Sequence, residues 1–115
     1  MSLEYKITKG NKQLLSIAEQ HRDNIILLDF HADWCGPCKS ISPLLHELVK
    51  HYQNSSKQLI LCKINVDETE NSDICESYKI RAMPTFCWIS NMNVVKRMQG
   101  ADSEKVKEIC ESYCS

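Results

Sequence analysis

Glycine and proline are scarce in this 115-residue chain, with three of each. No Gly/Pro-rich linker, internal repeat or low-complexity segment divides the sequence, so one domain spanning residues 1–115 is expected. Long apolar runs are also missing, and the longest fall far short of the ~20 residues a membrane-spanning helix needs. An excess of positive charge is absent as well. Fourteen basic residues stand against fifteen acidic ones, for a net charge of −1. With no basic cluster to supply the field, neither nucleic acid nor an anionic membrane is expected as the main partner. Met1 to Gln20 carries charge throughout and has no apolar targeting core or small-residue cleavage site, which makes the cytoplasm the expected compartment. What remains is the composition of a soluble globular protein, 43% apolar and 25% charged, long enough to bury a core without staples.

Cysteine, by contrast, is plentiful. Seven is many for a cytosolic chain, yet the number is odd and the spacings are irregular, unlike a secreted disulfide framework. Only Cys35 and Cys38 have motif spacing. A structural zinc site would need a second pair, and the nearest candidate, Cys110 and Cys114, is separated by three residues and lies far along the chain. No metal is expected. The other five cysteines read as core-filling thiols. Cys62 and Cys87 fall within strand-like runs, and Cys110 on the apolar face of the last helix. Cys75, beside Ile74, reads as core or half-exposed. Cys114, at a fraying terminus, is expected to be the most exposed thiol and a candidate for an intermolecular disulfide.

The hydrophobic pattern predicts the order β-α-β-α-β-α-β-β-α. Leu3 to Ile7 alternates as a short strand, and Thr8 can cap a helix carrying Leu14, Ile17 and Ala18 at helical spacing. Ile25 to His31 is apolar on both faces at first, as in a central parallel strand. Ile41, Leu44, Leu45, Leu48 and Tyr52 form a helical stripe interrupted by Pro43, which deletes the bond to the Lys39 carbonyl and predicts a kink. Leu59 to Val66 is strand-like, Asp67 to Asp73 is a polar connection, and a short helix passes through Ile74 and Tyr78. Phe86 to Ile89 and Val94 to Met98 form a hairpin across Asn91-Met92-Asn93. The last helix starts near Ser103 and buries Val106, Ile109, Cys110 and Tyr113. The result is an α/β fold with a mixed sheet between two helical layers.

Chemistry concentrates in Asp29-Phe30-His31-Ala32-Asp33-Trp34-Cys35-Gly36-Pro37-Cys38. A thiolate, not a thiol, attacks a disulfide. A free cysteine near pKa ~8.5 is only about 3% ionised at pH 7, whereas one near ~7 is about half ionised. Cys35 stands where the unpaired N–H groups and positive end of a helix begin, with the N–H groups of Gly36 and Cys38 nearest the sulfur. Three-residue separation there brings the Cα atoms within roughly 5 Å, inside the disulfide range. Gly36 allows close approach of a partner, and Pro37 stiffens the loop and helps start the helix. Asp29 inside a buried run is an expensive group. Burial raises its pKa, which suits a proton acceptor and donor working near neutrality. Lys63, also inside a strand-like run, reads either as the partner of Asp29 or as a lysine snorkelling from a sheet end.

These residues carry a family resemblance. Asp29-Phe30, Ala32, Trp34-Cys35-Gly36-Pro37-Cys38-Lys39, Pro43, Met83-Pro84-Thr85 and Gly100-Ala101 resemble thioredoxins, in order, from about Leu3 to Tyr113. The resemblance implies the thioredoxin fold, a three-layer α/β/α sandwich with a central five-stranded mixed sheet and four helices. It implies a protein-disulfide reductase, a dithiol carrier that supports cell redox homeostasis through a reversible Cys35–Cys38 disulfide. No cofactor would be bound. Electrons would come from NADPH through thioredoxin reductase and pass to disulfide-containing targets such as peroxiredoxins. By the same resemblance Cys35 is the nucleophile, Cys38 the resolving thiol and Asp29 the acid that helps deprotonate Cys38, modulated by Lys63. Pro84 would be cis and present the Met83 backbone to an extended substrate, within an apolar rim of Trp34, Met83, Gly100 and Ala101.

Three positions depart from the family pattern. His31 stands where tryptophan or a small residue is common. On a strand it shares a face with Asp29, so it is either half of a coupled titrating pair or a histidine merely packed at a strand end. The hairpin turn lacks the usual glycine. Ala82 occupies the place where some animal thioredoxins carry a regulatory cysteine, which removes that mode of dimerisation and leaves a monomer as the expectation. Two other functions compete: a different redox enzyme on the same fold (an oxidase, isomerase or glutaredoxin), and a non-catalytic binding module.

Overall fold

The computed structural model describes residues 2–115. Its elements run β1 (Glu4–Ile7), α1 (Gly10–Gln20), β2 (Ile25–His31), α2 (Gly36–His51), β3 (Leu59–Asn65), a 3-10 turn (Thr69–Asn71), α3 (Ser72–Ser77), β4 (Thr85–Ser90), β5 (Asn93–Gln99) and α4 (Ser103–Cys114). The five strands form one mixed sheet in the order β1-β3-β2-β4-β5. β2 lies at its centre, parallel to β3 and antiparallel to β4. Ile25 to Phe30 are all buried because β2 is covered on both faces.

The two faces have separate cores. Ile25, Leu27, Leu59, Leu61, Phe86 and Trp88 pack against Leu45, Leu48, Val106 and Ile109 of α2 and α4. Ile26, Leu28, Phe30, Ile60, Cys62 and Ile64 pack against Leu14 and Ile17 of α1 and Ile74 of α3. Period-two alternation thus assigns odd positions of β2 to the α2/α4 layer and even positions to the α1/α3 layer. Asp29 and His31 belong to the odd set, as does Lys63 on β3.

Several boundaries differ from the sequence reading. Thr8 does not cap α1. The cap position is Lys9, and it is Gln13 Oε1 that accepts from the Thr8 and Lys9 N–H groups at 2.8 and 2.9 Å. Gly10, the first residue of α1, has φ +69°. A Cβ there would lie 2.6 Å from both the Glu70 carbonyl oxygen and Asp73 Oδ1, so glycine permits α1 to start against α3. Pro43 lies inside α2 without ending it. At the hairpin both Asn91 and Met92 take positive φ, 49° and 69°. The missing glycine is therefore replaced by a left-handed asparagine and a left-handed methionine, the second costing about 1 kcal/mol. Tyr113 is half-buried and donates its hydroxyl to the Val95 carbonyl at 3.3 Å.

Cys114 requires a correction. It is not an exposed terminal thiol. α4 continues through it, and the residue is 1% exposed in the α2/α4 core. Burial pushes its pKa up to about 12, as it pushes Cys62 to about 12 and Cys110 to about 11. Cys87 is buried too, and Cys75 is the one half-buried free thiol among the described residues. With the Cys35–Cys38 disulfide intact, brief iodoacetamide treatment at pH 8 should modify Cys75 first and leave the other four until unfolding. Peptide mass spectrometry reads this directly, and labelling of Cys114 as fast as Cys75 would contradict the buried placement.

Candidate active site

Because β2 and β3 run parallel, their C-terminal ends lie side by side, and the loop leaving β2 opens over the same edge as the loop leaving β3. The Val66 N–H donates to the His31 carbonyl at 2.9 Å and fastens the two loops together. Cys35 and Cys38 sit at this edge, joined as a disulfide with Cα atoms 5.3 Å apart. Cys35 is the N-cap of α2, and its sulfur accepts from the Cys38 N–H at 3.2 Å. Of the two N–H groups expected near the sulfur, Cys38 supplies the recorded bond.

The two cysteines are equally enclosed, 4% and 5% exposed, so exposure alone does not order their roles. Position does. Cys35 occupies the helix end, where N–H groups and the dipole favour a thiolate. Cys38 lies one turn inward and lines a small cavity of about 90 Å³ together with His31, Ala32, Asp33, Lys39, Ser42 and Lys63. Gly36 and Pro37, between them, are exposed, and a Cβ built on Gly36 meets nothing within 4 Å. The space in front of Gly36 is open to an approaching chain.

Asp29, 2% exposed, is cross-strand in the β2–β3 register to Lys63, which lines that cavity. Lys63 Nζ is 3.5 Å from Asp29 Oδ2 and donates to Ser42 Oγ at 2.8 Å. The pairing reading of Lys63 therefore holds, and snorkelling does not describe it. Asp29 Oδ1 is buried with no hydrogen-bond partner among the described residues. Burial raises the Asp29 pKa, while Lys63 and then His31 pull it back down. Desolvation outweighs both, leaving a carboxyl that exchanges a proton closer to neutrality than an ordinary aspartate.

Trp34 is 67% exposed, and its indole N–H donates to Asp67 Oδ2 at 2.9 Å. The Met83–Pro84 peptide bond is cis. Thr85 Oγ1 donates to the Ala82 carbonyl at 2.5 Å, and the Gly100 N–H to the Pro84 carbonyl at 2.9 Å. Met83 and Val66 pack against Ala32, Cys35 and Cys38, whereas Gly100 and Ala101 are exposed beyond Pro84.

Sequence reasoning missed three contributors: Ser42, Val66 and Asp67. Ser42 was available in principle, since it lies four residues after Cys38 on one helix face. Val66 and Asp67 follow β3 directly, and only the parallel register brings them to the Cys35 loop.

A helix-capped cysteine pair above a buried carboxyl–lysine pair defines a dithiol–disulfide oxidoreductase. The Thioredoxin family model matches residues 7–112. Thioredoxin-1 of Caenorhabditis elegans is 39% identical over 92 residues, covering 80% of this chain and 75% of that protein. Thioredoxin-T of Drosophila melanogaster is 42% identical over 101 residues, covering 88% of this chain but 59% of that longer protein. Among solved structures, reduced Schistosoma mansoni thioredoxin pre-protein superposes with a TM-score of 0.86 at 35% identity, covering 97% of this chain and 99% of that one. The chain belongs to the thioredoxin family, and it is a dithiol redox carrier that reduces protein disulfides.

Burial of Asp29 has a consequence for stability. The folded protein holds the Asp29 proton more tightly than the unfolded chain does. The cost of the ionised group is absent well below the unfolded aspartate pKa of about 3.9, where both states are protonated. It grows as pH rises towards the raised folded pKa and is complete above it. Asp29→Asn should therefore be more stable than the native protein at pH 8, by on the order of 1 kcal/mol, with the gain vanishing near pH 3. Urea unfolding at the two pH values measures it, and a native protein more stable than the variant at pH 8 would refute the raised pKa.

Proposed function

We propose that the protein is a monomeric, cytoplasmic disulfide reductase in which Cys35 attacks, Cys38 resolves and Asp29 manages the proton. The single observation that carries the assignment is the asymmetry of the pair: Cys35 at the helix end, Cys38 on the cavity also lined by Lys63, the ion-pair partner of Asp29.

In the reduced state the Cys35 thiolate attacks one sulfur of a target disulfide. A mixed disulfide forms, and the second target sulfur leaves as a thiolate that takes up a proton. Cys38 gives its thiol proton to the Asp29 carboxylate, and the new thiolate attacks Cys35 Sγ. The bond from Cys35 to the target breaks, and the target's remaining sulfur leaves as a thiolate to be protonated. Two electrons have passed to the target, and the protein holds the Cys35–Cys38 disulfide. Lys63 stabilises the Asp29 carboxylate, which keeps it able to accept.

The rim fits an extended peptide. Trp34 supplies a flat apolar face fixed by Asp67, Met83 and cis-Pro84 offer backbone groups beside the disulfide, and Gly100 and Ala101 leave room alongside. A small, mixed surface of this kind suits transient contact with varied targets. Thioredoxin reductase using NADPH is the proposed electron source, and peroxiredoxins are among the proposed targets. The fold is shared, at TM-score 0.80 and 25% identity, with a chain solved for the structural basis of thiol resolution in yeast mitochondrial 1-Cys peroxiredoxin through glutathione and thioredoxin systems.

Insulin-disulfide reduction with NADPH and thioredoxin reductase tests the roles. Cys35→Ser and Cys38→Ser should both lose turnover, and only Cys38→Ser should accumulate a mixed disulfide with the target. Full activity of Cys35→Ser would end the assignment.

A further inference from the structure

His31 is left without a role in the reading above, yet it stands at the one place where the buried site meets an outer groove. It follows Asp29 by two residues on β2, so both side chains leave the same face of the sheet. The 90 Å³ cavity at Cys38 is walled in part by His31 and Lys63. A second, more open groove of about 300 Å³ on the β1 side is lined by Glu4, Tyr5 and Lys6 together with the same His31 and Lys63. Those two residues are the lining shared by both spaces. Lys63 is already committed to Asp29 Oδ2 and Ser42 Oγ. His31 is half-buried, and no hydrogen bond is recorded for its ring among the described residues.

We propose that His31 acts on the resolving step through Asp29, as the outer half of a proton-sharing pair that opens to solvent. Asp29 accepts the Cys38 proton, and with Oδ1 buried and unpartnered it must pass that proton on before the next cycle. No hydrogen bond or ion pair among the described residues joins the Asp29 and His31 side chains, so the proton crosses by way of water in the inner cavity that His31 lines. His31 accepts it on a ring nitrogen and gives it to water in the outer groove. The proton balance is closed, with one proton leaving Cys38 and one reaching solvent. While charged, His31 favours the Asp29 carboxylate, and His31 is therefore a positioning residue for the exchange.

The surroundings support this sharing. Burial lowers the His31 pKa and Lys63 lowers it further, while Asp29 on its own strand, Asp33 in the active-site loop and Glu68 after β3 oppose the fall. Burial raises Asp29, against the charges of Lys63, His31 and, from α2, His46. His46 itself is paired with Glu4 of β1 at 2.6 Å. Lys39 of α2 completes the charged groups at the inner cavity. One group is thus moved up and the other down, and the two titrate as a pair.

The proposal rests on Asp29 as the acceptor of the Cys38 proton, and the test separates the two. In stopped-flow mixing of reduced protein with excess low-molecular-weight disulfide, Trp34 fluorescence follows oxidation. The concentration-independent phase reports attack of Cys38 on the mixed disulfide. Its acid limb in the native protein should fall in two steps. His31→Gln should leave one step, displaced to higher pH because the stabilising charge is gone. His31→Lys should leave one step displaced to lower pH, by about one unit. Opposite displacements by two variants of one site distinguish a charge effect from simple loss of packing. If both profiles superimpose on the native one while Asp29→Asn abolishes the acid limb, the His31 proposal falls and the Asp29 role stands. If Asp29→Asn leaves the limb in place, both fall.

Discussion

The structure depends on one costly arrangement, a buried carboxyl group close to the cysteine pair, ion-paired with Lys63. Removing an ionised carboxylate from water costs several kcal/mol even in a real, relaxing protein. Lys63 offsets part of that from 3.5 Å, but Asp29 Oδ1 has no partner. A chain selected for stability alone would place a leucine there, as at the neighbouring odd position Leu27. The group makes physical sense as part of a site that handles a proton where water has little access.

The rest of the fold makes that arrangement available. Parallel pairing of β2 and β3 sets Asp29 opposite Lys63, and the alternation of each strand turns both towards α2. The first turn of α2 then presents Cys35 and Cys38 above them, with Ser42 one turn further on to orient the lysine. β4 begins immediately after cis-Pro84 and pairs with β2, so the Met83–Pro84 turn and the disulfide are supported by adjacent strands. Local sequence at the Cys loop sets its reactivity, whereas its position relative to Asp29 is set by strand register.

Much of this was legible in the sequence because each signal was local. The apolar runs with one acid and one lysine inside them, the helical stripe through α2 and the Pro-Thr turn each carry their own pattern, and all five strands and four helices follow. Long-range placement was harder to read. Asp67 holds Trp34 across 33 residues of sequence, and only the sheet register brings them together. Cys114 was misjudged because a chain end was expected to fray, whereas Val106, Ile109 and Cys110 anchor α4 and carry its last turn into the core. The Thr8 cap failed because Gln13 reached back to the same backbone groups. Side-chain competition of that sort leaves no periodic trace.

Burial outweighs the attraction of Lys63, so Asp29 holds its proton more tightly than an ordinary aspartate. Carboxyl carbon chemical shifts of aspartate-labelled reduced protein, followed by NMR across pH and assigned with Asp29→Asn, measure it directly. The expected titration lies above the ordinary aspartate value of about 3.9 and moves still higher in Lys63→Met. A titration at or below the ordinary value, unmoved by loss of the lysine, would contradict it.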